Sequence, residues 1–194
     1  MTIAPKPVSS GAPISSAPSV GPPGPRRSDP PVSIAQLRDI GLFGALSDEV
    51  LDHLAITLRP GRIAAGDLIF KEGEPAREMY VLLDGEMEVL KKSRRGRDQR
   101  VAILGPNDCF GEMSIIDMQP RSASVRALAP SRVLRISTED MDALYRHDLK
   151  SYTLITLNIA RDLSRRLRVT DGILADFTAS VLDEYVGARN SEKK

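Results

Sequence analysis

The apolar positions of this chain fall into three regimes. Between Ile34 and Leu58 they recur at helical spacing, first as Ile34, Leu37 and Ile40, then as Val50, Leu51, Leu54 and Leu58. Gly41 predicts the end of the first helix. Phe43 and Leu46 sit in a short apolar connector, and Ser47 is a good N-cap for the second helix, with Asp48 and Glu49 in its first turn and Pro60-Gly61 as its stop. His53 reads as a surface residue of that helix. From Arg62 to Ser137 the pattern changes to short apolar runs: Ile63, Leu68 to Phe70, Met79 to Leu83, Met87 to Leu90, Val101 to Leu104, Val125 to Leu128 and Val133 to Ile136. Gly66-Asp67, Gly73-Glu74-Pro75, Asp84-Gly85 and Pro106-Asn107-Asp108 punctuate them as turns, and Asp84-Gly85 predicts a tight hairpin. Evenly spaced short strands of this kind imply a sandwich or barrel.

After Ile136 the helical period returns. Thr138 is positioned to cap a helix through Met141 and Leu144, and His147-Asp148 marks a break. From Tyr152 to Gly187 there is no proline and one internal glycine, Gly172. That predicts a helix of about 35 residues, roughly 50 Å long. Its apolar stripe runs Ile159, Leu163, Leu167, Thr170, Leu174, Phe177, Val181, in steps of four, four, three, four, three and four, close to a heptad seam. Such a stripe either packs on its own barrel or pairs with a second copy. Its length beyond a single barrel favours a homodimer. The fold class expected is α+β, with a β-barrel flanked by N-terminal helices and a long C-terminal helix.

Composition changes this picture mainly at the N-terminus. Residues 1–32 hold nine of the fourteen prolines, with many Ser, Ala and Gly, and are expected to form a disordered tail. A proline-rich docking ligand around Gly21 to Pro25 is the alternative. The domain expectation is therefore a tail over 1–32, a folded domain over 33–150 and a long helix over 151–190. Net charge is +1, so no global field points to nucleic acid or a membrane. One cysteine, Cys109, allows no intrachain disulfide and fits a reducing, cytoplasmic setting. Neither a secretory leader nor a membrane span is expected, since no continuous apolar run of the needed length occurs and Arg26-Arg27 is followed by Ser-Asp-Pro-Pro. Lys91, Lys92, Arg94, Arg95, Arg97 and Arg100 read as a solvated hairpin loop, with an anion or partner patch as the alternative.

The stretch that carries candidate chemistry is Phe110 to Val125. Gly111 has no Cβ and lets backbone approach a ligand. The residues after it, Met113 and Ser114 first, are expected to form one helical turn with free N–H groups. Arg121 supplies a fork of donors suited to a phosphate, and Glu112 an acceptor suited to a sugar hydroxyl. Together they describe a pocket for a small phosphorylated sugar.

The same residues carry a family resemblance. Phe110, Gly111 and Glu112, followed by Pro120, Arg121, Ser122, Ala123, Ser124 and Val125, resemble the phosphate-binding cassette of the cyclic-nucleotide-binding domain family, with the family's common spacing from Glu112 to Arg121. The resemblance covers roughly Ile34 to Asp171. It implies a jelly-roll-like β-barrel in which Gly66, Gly73 and Gly85 are structural turn glycines, and in which Asn107 replaces a frequent glycine. It implies that Arg121, Ser122 and backbone near Met113 and Ser114 hold a cyclic phosphate, and that Glu112 and Gly111 hold the ribose 2′-hydroxyl. Val101 or Ile103 would then lie against the purine. Arg165-Arg166-Leu167-Arg168-Val169-Thr170 further resembles the central helix of bacterial catabolite activator proteins. By that likeness Thr170 meets the adenine amino group at a dimer interface, although Asp171 stands where that subgroup has Ser. A hydroxyl bonded back to its own helix is the plain alternative for Thr170.

These readings imply a non-catalytic sensor for cAMP, with cGMP less favoured, that signals through its C-terminal helix to an unidentified protein effector. The hinge is expected near His147 to Lys150. Too few residues follow Gly187 for a helix-turn-helix, so no direct nucleic-acid contact is expected. Two histidines outside the strands do not suit a metal-dependent enzyme, and no cofactor or metal is expected beyond the cyclic nucleotide. The alternatives are a pocket retuned to a cyclic dinucleotide, or a dimeric scaffold whose pocket is vestigial.

Overall fold

The computed structural model describes residues 30–191, with side chains of the last helix described as far as Asp183. The disordered-tail expectation lies, up to residue 29, outside the described residues. Val32, at its end, is buried in the core. The first helix, α1 (Ile34–Asp39), opens with a capping box in which Ser33 and Gln36 satisfy each other's backbone N–H. A 3-10 turn over Gly41–Phe43 leads to α2 (Asp48–Thr57), which buries Leu51 and Leu54 and leaves His53 exposed.

Eight strands follow: β1 (Pro60–Ile63), β2 (Leu68–Phe70), β3 (Glu78–Asp84), β4 (Met87–Lys92), β5 (Asp98–Leu104), β6 (Cys109–Phe110), β7 (Ser124–Ala127) and β8 (Ser131–Ser137). They form two four-stranded antiparallel sheets, in the orders β1-β8-β3-β6 and β2-β7-β4-β5. The first sheet is covered on both faces. Met79, Val81, Leu134 and Ile136 face the helices, whereas Tyr80, Leu82 and Val133 face the space between the sheets. Double coverage explains why β3 reads as a continuous apolar run rather than an alternating one.

Asp84-Gly85 does not make a hairpin. β3 pairs with β6 and β8, and β4 with β5 and β7, so this turn carries the chain from one sheet to the other. Gly85, at φ +100°, lies so close to Ser131 that a Cβ would clash with its backbone. The same Asp-Gly signal serves a sheet-to-sheet crossing because both need positive φ without a side chain. The actual hairpin joins β4 to β5, closed by Ser93 N–H to the Arg97 carbonyl at 2.8 Å, with Gly96 at φ +74°. Asn107 adopts φ +74°, as its place in a turn requires. The two-residue β6 has no counterpart among the predicted runs.

α4 (Thr138–His147) is capped by Ser137 rather than Thr138, through a box with Asp140. Asp148 breaks the path, and its carboxylate caps the next helix by accepting from the N–H of Lys150 (3.0 Å) and Ser151 (3.2 Å). That helix, α5 (Leu149–Ser191), starts three residues earlier than Tyr152 and runs 43 residues. Its first part is anchored. Ile155 and Ile159 enter the core, and the Asn158 amide donates to the carbonyls of Leu42 (3.1 Å) and Gly44 (3.0 Å). Past Arg166 the helix leaves the domain, and Leu167, Leu174, Phe177 and Val181 are exposed.

Candidate ligand-binding site

β6 pairs briefly with β3, Tyr80 opposite Phe110, and delivers the chain to Gly111 at φ +75°. A Cβ there would lie 2.5 Å from the Arg121 guanidinium, so glycine is needed for both space and conformation. Glu112 follows, then α3 (Met113–Ile116), the single turn expected. The return strand is pinned to the turn after β2. Gly73 N–H donates to the Arg121 carbonyl (2.8 Å), and Arg121 N–H to the Glu74 carbonyl (2.9 Å).

This pinning turns the Arg121 side chain inward, where it is only 4% exposed. Its guanidinium carbon sits 3.9 Å from the Phe70 ring centre and 5.8 Å from that of Tyr80. One terminal nitrogen donates to the Gly111 carbonyl at 3.0 Å. Nε has no hydrogen-bond partner, and Arg121 makes no ion pair among the described residues. Burial lowers its pKa without approaching neutrality for a guanidinium. A permanent cation is thus held under cover by aromatic faces and a carbonyl, with the negative charges of Glu78, Glu74 and Glu112 acting on it from nearby.

Glu112, 3% exposed, is treated differently. Arg166 of α5 reaches it at 3.4 Å, donates to the Cys109 carbonyl at 2.5 Å, and pairs with Asp162 at 2.9 Å. Burial pushes the Glu112 carboxyl above its ordinary value, and the Arg166 charge opposes that shift. Burial also raises the Cys109 thiol well above its ordinary value, which leaves it an unreactive core residue.

The remaining expected residues distribute unevenly. Met113 is partly exposed, and Ser122 bonds its sulfur through the hydroxyl at 3.6 Å, while Ser114 is buried. Thr170 is exposed, and its hydroxyl donates to the Arg166 carbonyl at 2.9 Å, the back-bonded arrangement. Val101 and Ile103 on β5 are exposed. The fold therefore brings Gly111, Glu112, Met113, Arg121 and Ser122 into one cassette, and Thr170 approaches it only through Arg166. Sequence reasoning gave Arg166, Phe70 and Tyr80 no part in the cassette. The Asp162, Arg166, Thr170 spacing of four was the available signal for Arg166. Nothing local announces two ring residues supplied by separate strands.

Residues 60–148, from β1 to the break before α5, match the sequence profile of the cyclic nucleotide-binding domain. The chain belongs to the cyclic nucleotide-binding domain family. It is 33% identical over 136 residues to a CRP-like cAMP-activated global transcriptional regulator of Mycobacterium tuberculosis, covering 70% of this chain and 59% of that protein. Among solved structures, a cyclic nucleotide-binding domain from Methylobacillus flagellatus superposes with a TM-score of 0.64 at 27% identity, covering 70% of this chain and 76% of that one. The N-terminal domain of a transcriptional regulator from Streptomyces coelicolor gives a TM-score of 0.60 at 30% identity, over 68% of this chain and 94% of that one. The chain thus spans little more than half the length of the full-length regulator it resembles. As a cyclic nucleotide-binding domain it has the α+β architecture of helices around a two-sheet sandwich. Among the described residues no helix is long and apolar enough to cross a membrane.

Proposed function

We propose that this chain is a non-catalytic cyclic-nucleotide sensor whose ligand is cAMP and whose output travels through α5. The observation that carries the reading is Arg121, a buried guanidinium held by aromatic faces and one carbonyl, with an Nε that has no partner among the described residues. A buried cation of this kind is stabilised by an anion that arrives with its own hydrogen-bond acceptors. A cyclic phosphate supplies one charge and two exocyclic oxygens. In this reading Arg121, Ser122 and backbone near Met113 and Ser114 hold the phosphate, and Gly111 and Glu112 hold the ribose 2′-hydroxyl.

Glu112 gives the pocket its output. A ribose hydroxyl that donates to Glu112 shares the carboxylate with Arg166, so occupancy is felt on α5. Thr170 already donates its proton to the Arg166 carbonyl, which leaves its lone pairs free to accept from an adenine amino group. That favours cAMP over cGMP, whose purine presents a carbonyl oxygen there. The exposed apolar residues on α5 past Leu163 support a homodimer formed by this helix, in a cytoplasmic setting, with a protein effector as the receiver.

Calorimetric titration with cAMP, cGMP and cyclic di-GMP tests the reading, with Arg121→Ala as control. Micromolar or tighter cAMP binding is expected, weakened about ten- to a hundredfold or more in the variant. Silence toward all three ligands would leave a dimeric scaffold with a vestigial pocket. Preference for the dinucleotide would mean a retuned one.

A further inference from the structure

The basic run that begins at the end of β4 was expected to be solvated, yet Lys91 is engaged on two sides. Its ammonium donates to Glu72 Oε1 at 2.7 Å and to the Ser122 carbonyl at 2.5 Å. The other Glu72 oxygen accepts the Lys92 N–H at 2.9 Å, and the Glu72 N–H donates to the Ser124 hydroxyl at 2.9 Å. The lysine bond holds the Glu72 carboxyl below the usual carboxylate range. Three segments distant in sequence are thus tied at one point: the turn after β2, the end of β4, and the chain between Arg121 and β7.

We propose that Lys91 is a positioning residue for the phosphate site, acting through Ser122; this rests on the cyclic-nucleotide reading above. The peptide that carries the Ser122 carbonyl is one bond from the Ser122 Cα. Fixing that carbonyl toward Lys91 fixes the peptide plane that follows Ser122 and so limits the positions open to its Cα and hydroxyl. Arg121 is pinned through its own backbone by Gly73 and Glu74, so the guanidinium does not depend on Lys91. Ser122 is exposed, and its hydroxyl has only the weak Met113 sulfur as partner at 3.6 Å. Without Lys91, the Ser122 carbonyl loses its side-chain hydrogen bond, and the donor that selects between the two exocyclic phosphate oxygens is free to turn.

The prediction separates positioning from general support. Titrations of the wild type, Lys91→Met and Lys91→Arg with cAMP and with the two phosphorothioate diastereomers of cAMP give the readout. Lys91→Met is expected to weaken cAMP binding roughly three- to tenfold and to bring the affinity ratio of the two diastereomers toward one. Lys91→Arg restores both. The melting temperature of the unliganded variant should hardly move, since the ion pair is half exposed. Equal affinity and an unchanged diastereomer ratio in Lys91→Met, with a wild type that binds, would overturn the role of Lys91 alone. Equal weakening of both diastereomers with a lowered melting temperature would reduce Lys91 to a structural strut and overturn it as well. A wild type that binds none of the three would remove the cyclic-nucleotide reading and this inference together.

Discussion

The cassette and the outer half of α5 break the usual rule of burial in opposite ways. The cassette hides charge: Glu112 and Arg121 are 3% and 4% exposed. The outer helix shows oil: Leu167 is 61% and Phe177 65% exposed. Buried charges and contiguous exposed apolar residues are the two informative departures from an ordinary surface. The difference teaches what each region is suited to take up. In the proposed function, the cassette takes up an anion and the helix takes up a second apolar face. Arg166 stands between them, with its guanidinium on Glu112 and its carbonyl holding Thr170.

The largest effect is expected at the helix. Leu174→Asp with Phe177→Asp places two charges per copy in the proposed seam. Burying such side chains contributes about 1.5–3 kcal/mol each, so dimer affinity should fall by about a thousandfold or more. Light scattering should then report a monomer that still binds cAMP. A variant that remains dimeric would relocate the interface. Arg121→Ala comes next: affinity for cAMP should drop about a hundredfold while the dimer persists, which breaks the cassette and spares the helix.

Glu112→Gln is the third, with about a tenfold loss of affinity and a pH signature. The Glu112 carboxyl titrates higher in the folded chain than in the unfolded one. Its contribution to stability is therefore full below the unfolded value and is lost as pH rises through the folded value. Glutamine has no such dependence. The melting temperature of the variant, minus that of the wild type, should grow more positive from about pH 4 to about pH 7 in ligand-free protein. A constant difference would mean that Arg166 fully compensates burial. The smallest effect is Thr170→Val, which should lower the preference for cAMP over cGMP a few-fold and leave phosphate recognition alone. No change in the ratio would confine Thr170 to its back-bond.

Much of the fold is legible in apolar spacing. The helices at Ile34 and Asp48, seven of the eight strands and the long helix all announce themselves, because each buries a periodic face. β6 does not, since two residues are too short to show a period and its Cys109 and Phe110 serve opposite faces. The Asp84-Gly85 turn was legible as a turn but not as a crossing between sheets. Local chemistry specifies positive φ, and only long-range pairing decides which strands it joins. At the site, Gly111, Glu112 and Arg121 stand out because they lie within one short string. Phe70 and Tyr80 come from separate strands and are brought in by packing, for which the sequence carries no local mark, and Arg166 is marked only by its four-residue spacing from Asp162 and Thr170.

Asn158 fixes where α5 pivots. Past Arg166, whose side chain holds the Cys109 carbonyl and Glu112, the helix has no such hold among the described residues, whereas at Asn158 the amide is clamped on two carbonyls of the N-terminal segment. From there to Val181 is 23 residues, or about 35 Å at 1.5 Å per residue. A rod of that length is a lever with a short loaded arm at the cassette and a long free one. A tilt of about 10° at the clamp carries the far end roughly 6 Å, enough to change which side chains meet across a pair of helices.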